Sequence, residues 1–366
     1  MPQLTSAATA AGASIANSAA LRAAVDRIYA GDDAPTIVTR PASEFEIRRT
    51  IQEVALHGQS YAKDLAHRSR RPDPVDAILR VLKLSSTYRQ KTQFDNAASM
   101  AVLRQKLTDA VAGRKALALT LPLGGGKVPN PAKAGRSYLP DVAEWVAWAR
   151  LAAIARAIAT VADLPARVLV VPDAPLHTAD LGIPAVEAAA HLTAAHRDIT
   201  ALGLDAIVTI ADTANHMPTR WSDEVALRAK AASQRSDHDP AFRKSVMAQV
   251  QSLLFATNLR VYPWSDERKL QVLHALASDA DAPKHILADA AMVRADVERK
   301  VFWYTGTNHA LRTLAIPDLL VAQHFGKDHV MIRLTVHAKP GEPQPLLVPP
   351  SRMARPGLLP MHGIGL

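Results

Sequence analysis

The sequence predicts an α/β protein: a Rossmann-like, mostly parallel sheet with helices on both faces, preceded by a helical N-terminal segment. Ala116–Leu121, Arg167–Val171 and Ala206–Ile210 are short, continuous apolar runs, the pattern of strands buried on both faces. Helical patterns separate these runs, so the strands are joined by crossovers and run parallel. Residues before 113 carry helical periodicity and no strand pattern.

In chain order, residues 1–17 are small and polar, and loose order is expected there. Residues 18–112 form the helical region, with helices expected over Ala19–Tyr29, Glu44–Leu56, Val75–Leu84 and Ala97–Ala112. Ser43 and Glu46 have capping-box spacing, and His67–Pro74 (HRSRRPDP) reads as a proline-punctuated linker. Residues 113–366 form the sheet domain. The first strand is expected to break at Pro122, and Val142–Val161 is a long helix whose start is marked by Pro140, Asp141 and Glu144. A further helix spans Ala185 to about Leu202, and Glu224–Leu287 is mostly helical, with Asp239–Pro240 opening one helix and Pro263 breaking another. VMIRLTVHAK at 330–339 alternates as a strand, which makes Arg333, Thr335 and His337 neighbours on one face.

Composition narrows the function. The chain has 366 residues, 48% hydrophobic and 21% charged, which suits a folded protein with a sizeable core. No run approaches the ~20 apolar residues of a membrane helix, and the N-terminus lacks the basic and apolar regions of a secretory signal. With no cysteine, disulfides, thiol nucleophiles and zinc–thiolate sites are excluded. A cytoplasmic protein is expected, with no membrane partner. The net charge of +9 suits an anionic ligand, but the basic residues are scattered, RSRR at 68–71 apart, and aromatics make up only 5%. That argues against nucleic acid, which calls for stacking platforms among the cations.

In a parallel sheet, ligands sit beyond the carboxyl ends of the strands. Three loops follow from that rule: GGGK at 124–127, PDAPLHTAD at 172–180 and ADTANHM at 211–217. The first carries Lys127, Lys133 and Arg136 between a strand and a helix N-terminus, an arrangement suited to an anion. It also reads as an ordinary connection with solvated lysines, and it is not a Walker loop because Val128 follows the lysine. Asp173, His177, Asp180, Asp212 and His216 become candidates for a shared cleft, although each alone also reads as a surface or capping residue. No HxxxH spacing, GxSxG elbow or dinucleotide fingerprint is present, so acid–base chemistry on an anionic substrate is expected, without metal or cofactor.

Four ordered motifs, spread over roughly residues 110 to 366, resemble the pyoverdine/dityrosine biosynthesis family, the isocyanide (isonitrile) synthases. In KVPNPAKAGRSYLPDVAEW the matching residues are Lys127, Pro129, Asn130, Lys133, Gly135, Leu139, Pro140, Asp141 and Glu144. VLVVPDAPLHTADLGIP supplies Asp173 and Asp180, IRLTVHA supplies Arg333, Leu334 and His337, and LPMHGIGL supplies Pro360, His362 and Gly363. The chain departs from the family pattern at LPLGGGKV, at Ala174 after Asp173, and at Met361 in place of a tryptophan.

The resemblance implies condensation of an L-amino acid's α-amino group with ribulose 5-phosphate, whose ketone carbon becomes the isonitrile carbon. It implies no cofactor for that step, and a separate iron/2-oxoglutarate oxygenase acting on the product. For that reaction, proton transfer is expected of Asp173, His337 and His362, and phosphate binding of Lys127, Lys133 and Arg136. Arg333 falls to the carboxylate, with Asn130, His177 and Asp180 as further substrate contacts. Two alternatives stay open: an imine- or aldol-type enzyme acting on another amine or sugar phosphate, and a non-catalytic anion or nucleic-acid binder on the same scaffold.

Overall fold

The computed structural model describes residues 44–85, 97–123, 139–140, 142–172, 176–177, 184–247, 259, 262–277 and 282–334. Three helices come first: α1 (Glu44–Ser69), α2 (Pro74–Leu84) and α3 (Ala97–Ala112). α1 runs well past Leu56, so the linker expected from His67 shrinks to the few residues before Pro74. Arg68 pairs with Asp64 at 3.1 Å along the helix, and nothing bars helical backbone until Pro72. Asp73 then caps α2, its Oδ1 accepting the Val75 N–H at 2.7 Å, with Pro74 in the first turn. Ser43 and the helix expected at Ala19–Tyr29 lie outside the described residues.

Strand and helix then alternate: β1 (Ala116–Leu123), α4 (Val142–Ala162), β2 (Ala166–Pro172), α5 (Ala185–Ala201) and β3 (Val208–Ile210). β1 does not break at Pro122; it continues to Leu123, with Pro122 in register with Val171. The described pairing of β1 with its other neighbour stops at Thr120, so the proline's missing N–H lies beyond that ladder. A 3₁₀ turn (Ala214–His216) follows β3, then α6 (Trp221–His238), α7 (Pro240–Val246), α8 (Asp266–Ala277), α9 (Lys284–Thr313), α10 (Ile316–Phe325) and β4 (His329–Arg333). Asp239 caps α7 by accepting the Phe242 N–H at 2.9 Å.

The four strands pair in parallel in the order β3-β2-β1-β4. Alternate residues face opposite layers. Leu117, Leu119, Leu121, Val168, Val170, Val208 and Ile332 share a core with Trp145, Leu151 and Ile158 of α4, Leu65 of α1, Ile78 of α2 and Leu107 of α3. The N-terminal helices and the sheet therefore pack into one core. Ala118, Leu169, Val171 and Ala211 face the other way, against Ile316, Leu320 and Val321 of α10. Helices on both faces explain why the strands are continuous apolar runs. A separate cluster joins α8 to α9 through Val272, Leu276, Ile286, Val293, Val297 and Val301.

α4 corrects one expectation. Glu144–Ala162, 19 residues, is long and apolar enough to cross a membrane by length and composition, and 67% of that stretch is buried inside the protein. It is the central helix of the core, apolar on nearly every side because neighbours surround it.

A buried carboxylate ties α4 to α5. Trp145 Nε1 donates to Asp198 Oδ2 at 2.8 Å, and Arg197 donates to Oδ1 at 3.0 and 3.1 Å, with the Asp198 side chain fully enclosed. Burial raises the Asp198 pKa above 3.8, against the lowering effect of hydrogen bonds from Trp145 and Arg197. The folded state thus holds the proton more tightly than the unfolded chain. Whatever stability the protonated acid contributes is complete below pH 3.8 and is lost as pH rises through the raised value. Asp198→Asn keeps an acceptor for Trp145 and is expected to gain on the wild type across that window, in urea midpoints measured against pH. Asp198→Ala leaves the indole N–H unpaired and is expected to cost about 1–3 kcal/mol.

Candidate functional site

From β1 the chain steps outward through β2 to β3, then returns to the far side of β1 as β4. The strand order thus changes direction between β1 and β4, and in parallel sheets ligands bind beyond the carboxyl ends of the strands at such a point. The ends of β2, β1 and β4 lie side by side there. Arg333, the last residue of β4, is the register partner of Thr120 in β1, and the Leu334 N–H donates to the Thr120 carbonyl at 2.6 Å. Asp173 directly follows Pro172, the end of β2 and the partner of Leu123. Lys127 comes four residues after Leu123.

Lys127, Asn130, Lys133, Arg136, Asp173, Asp180, His337 and His362 lie outside the described residues, as do Asp141 and Thr335. The strand expected over 330–339 is described from His329 to Arg333. Of the remaining candidates, His177 is 1% exposed, its ring stacked on Tyr304 of α9 with centroids 4.3 Å apart and planes at 25°. This contact brings the loop after β2 against the middle of α9.

At the end of β3, Asp212 and His216 serve the local turn. Asp212 accepts from the Asn215 backbone N–H at 3.3 Å and from its side-chain amide at 2.7 Å. His216 Nδ1 lies 2.6 Å from the Asp212 carbonyl, so in this tautomer the ring nitrogen donates. The His216 ring also meets His324 of α10, with centroids 5.7 Å apart. Burial, followed by the nearby His216 and His196, holds the His324 pKa below 6.5, and Asp212 opposes the shift. His324 is thus predominantly neutral at pH 7, a form able to accept a proton.

Thr213 sits between these groups. It is fully buried, and its hydroxyl donates to the Pro172 carbonyl at 2.7 Å, linking the ends of β3 and β2. Tyr304, His324 and Thr213 were not among the residues the sequence singled out. The first two sit on helices with no motif around them, and Thr213 is distinguished only by following Ala211–Asp212 at a strand end. Among the described residues, no group of three or more His, Cys, Asp or Glu side chains is arranged to hold a metal ion.

No family model matches the sequence, and no curated protein sequence matches it. Among solved structures, the chain is similar to the crystal structure of the PvcA protein from Pseudomonas aeruginosa. The match has 17% identity, covers 80% of this chain and 88% of that one, and has a TM-score of 0.49.

Proposed function

We propose that the protein is an isonitrile synthase, converting the α-amino group of an L-amino acid to an isonitrile with ribulose 5-phosphate as carbon donor. One observation carries this reading. Three of the four motifs that resemble the isonitrile synthases overlap or follow the carboxyl ends of β1, β2 and β4, three adjacent parallel strands around the switch point. The reaction needs a phosphate site, a carboxylate site and proton carriers close together, and this is the part of the sheet where distant segments converge.

In this reading Lys127, Lys133 and Arg136 hold the phosphate, and Arg333 grips the amino-acid carboxylate as a fork. Asn130, His177 and Asp180 complete the substrate contacts. The amino nitrogen adds to the ketone carbon of the sugar and water leaves, giving an imine; the two carbon–carbon bonds flanking that carbon then break. One leaves its electron pair on that carbon and the other's pair is carried off with the departing sugar fragment, so no oxidant or reductant is needed. Each stage moves a proton, the work proposed for Asp173, His337 and His362. A separate iron/2-oxoglutarate oxygenase is the proposed consumer of the product.

The test is mass spectrometry of the purified protein with C2-labelled ribulose 5-phosphate and the twenty amino acids. A product that gains the labelled carbon on nitrogen supports the reading and identifies the amino acid. Binding of the sugar phosphate without that product would shift the reading to another amine or another imine- or aldol-type outcome. Lys127→Ala is expected to raise the apparent KM for the sugar phosphate by about tenfold or more, as loss of a charge-assisted contact predicts. An unchanged value in steady-state assays would remove Lys127 from the site.

A further inference from the structure

We propose that His216 and His324 form an acid-sensitive latch, which holds α10 to the turn after β3 while both rings are neutral and loosens when they take up protons. The latch is independent of the reaction assigned above. Both rings are half-buried, and their centroids lie 5.7 Å apart with planes tilted at 52°. Neutral rings pack well in that range, whereas two like charges held there repel. One nitrogen of His216 is already committed, its Nδ1 donating to the Asp212 carbonyl. The Asp212 carboxylate favours a charged His324, but it is engaged by the Asn215 backbone N–H and side-chain amide. His324 Nε2 is buried and has no hydrogen-bond partner among the described residues. An imidazolium at that position carries a buried N–H without an acceptor, so the folded state favours the neutral ring.

The other groups around α10 are few. β1 brings no titratable side chain, and α6 and α9 join the core around α10 through Trp221, Leu311 and Leu314. Arg312 of α9 acts on His309, and α10 itself carries Asp318 in its first turn. From α5, His196 adds a third imidazole that disfavours charge on His324. Beside His324, Phe325 meets the His329 ring with centroids 5.3 Å apart, and the Arg167 guanidinium lies 5.2 Å from the Phe325 ring centre. Burial and then Arg167 hold the His329 pKa below 6.5 as well, so His329 has to be separated from the latch by mutation. The unfolded chain binds the His324 proton more readily than the folded one. The latch is therefore complete above pH 6.5 and is lost as pH falls from there through the lowered folded value. α10 passes through Gly326 almost directly into β4, so loosening its last turn frees the entry to a strand paired with β1.

The experiment is amide exchange of the full-length protein at about pH 7.5 and about pH 5.5, corrected for intrinsic exchange, together with NMR titration of the histidine rings. Exchange in peptides covering 211–217 and 316–333 is expected to rise about fivefold or more at the lower pH, with α1 changing by less than about twofold. His324→Gln and His324→Phe both remove the titrating group, the second keeping a ring, and each should abolish the rise. His216→Asn keeps an amide donor for the Asp212 carbonyl but removes the second charge. It should shrink the rise and bring the His324 titration closer to pH 6.5. His329→Gln should leave the rise in place. No rise in the wild type, or one that extends equally to α1, would overturn the latch. So would a rise that survives both His324 substitutions or vanishes with His329→Gln, or a His324 titration unchanged by His216→Asn.

Discussion

Arg333→Ala is expected to raise the KM for the amino acid about a hundredfold while leaving the KM for ribulose 5-phosphate nearly unchanged. A guanidinium binds a carboxylate through two parallel charge-assisted hydrogen bonds, and losing such a pair costs about 3 kcal/mol, roughly two decades in affinity. The location argues for Arg333 over the chain's other arginines. It ends β4 in register with Thr120, beside the strand whose end leads to Lys127. Arg333→Lys keeps the charge but loses the fork, so it should recover only part of the loss. Steady-state assays that vary each substrate in turn provide the check. An amine lacking the carboxylate should not distinguish wild type from mutant. Equal rises in both KM values would mean that Arg333 supports the site as a whole and does not recognise the carboxylate.

Gly306→Ala is expected to destabilise the fold by about 2 kcal/mol or more, although the site is helical and alanine is the better helix former. A Cβ at this position in α9 would lie 2.6 Å from the backbone nitrogen of Ala229 and 2.8 Å from both its Cα and its Cβ. None of these atoms can swing aside, so α6 and α9 would have to separate. Propensity returns about 1 kcal/mol, and overpacking against a backbone takes about 1–3 kcal/mol or more, so the clash wins. Adding Ala229→Gly removes one of the three close atoms and should restore only part of the loss. Urea midpoints measure both variants, and an unchanged midpoint for Gly306→Ala would show that the helices have room to spare. Tyr304, which stacks on His177, sits on the same stretch of α9, so parting the helices would also disturb the loop after β2.

Much of the local structure is legible from neighbouring residues. The helix starts at Pro74 and Pro240 follow from an aspartate placed to accept a backbone N–H before a proline. β1, β2 and β3 are legible because a strand covered on both faces must be apolar throughout. The errors have the same local origin. Pro122 reads as a strand break, because nothing in the sequence says that the β4 ladder stops before it. His67–Pro74 reads as a linker because its charges suit solvent, but α1 carries the first of them, His67 and Arg68, on its exposed last turn. α9 is the largest element that was not foreseen beyond Leu287. Its buried positions, Val293, Val297 and Val301, are helically spaced, but charged residues and a central glycine surround them. α4 is apolar enough to look like a membrane span until the sheet and α1 are seen around it.

By itself the sequence determined the alternation of strands and helices, their parallel sense, and the loops that must lie at the strands' carboxyl ends. These follow from periodicity and capping, which act over a few residues. Tertiary structure alone decided that β4 pairs with β1 and not with β3, that Gly306 meets Ala229, and that the Thr213 hydroxyl donates to the Pro172 carbonyl. Apolar strands of similar composition can pair in many orders. The order is selected by how all the crossovers and both covering layers bury their apolar surface together, a condition that no single segment carries.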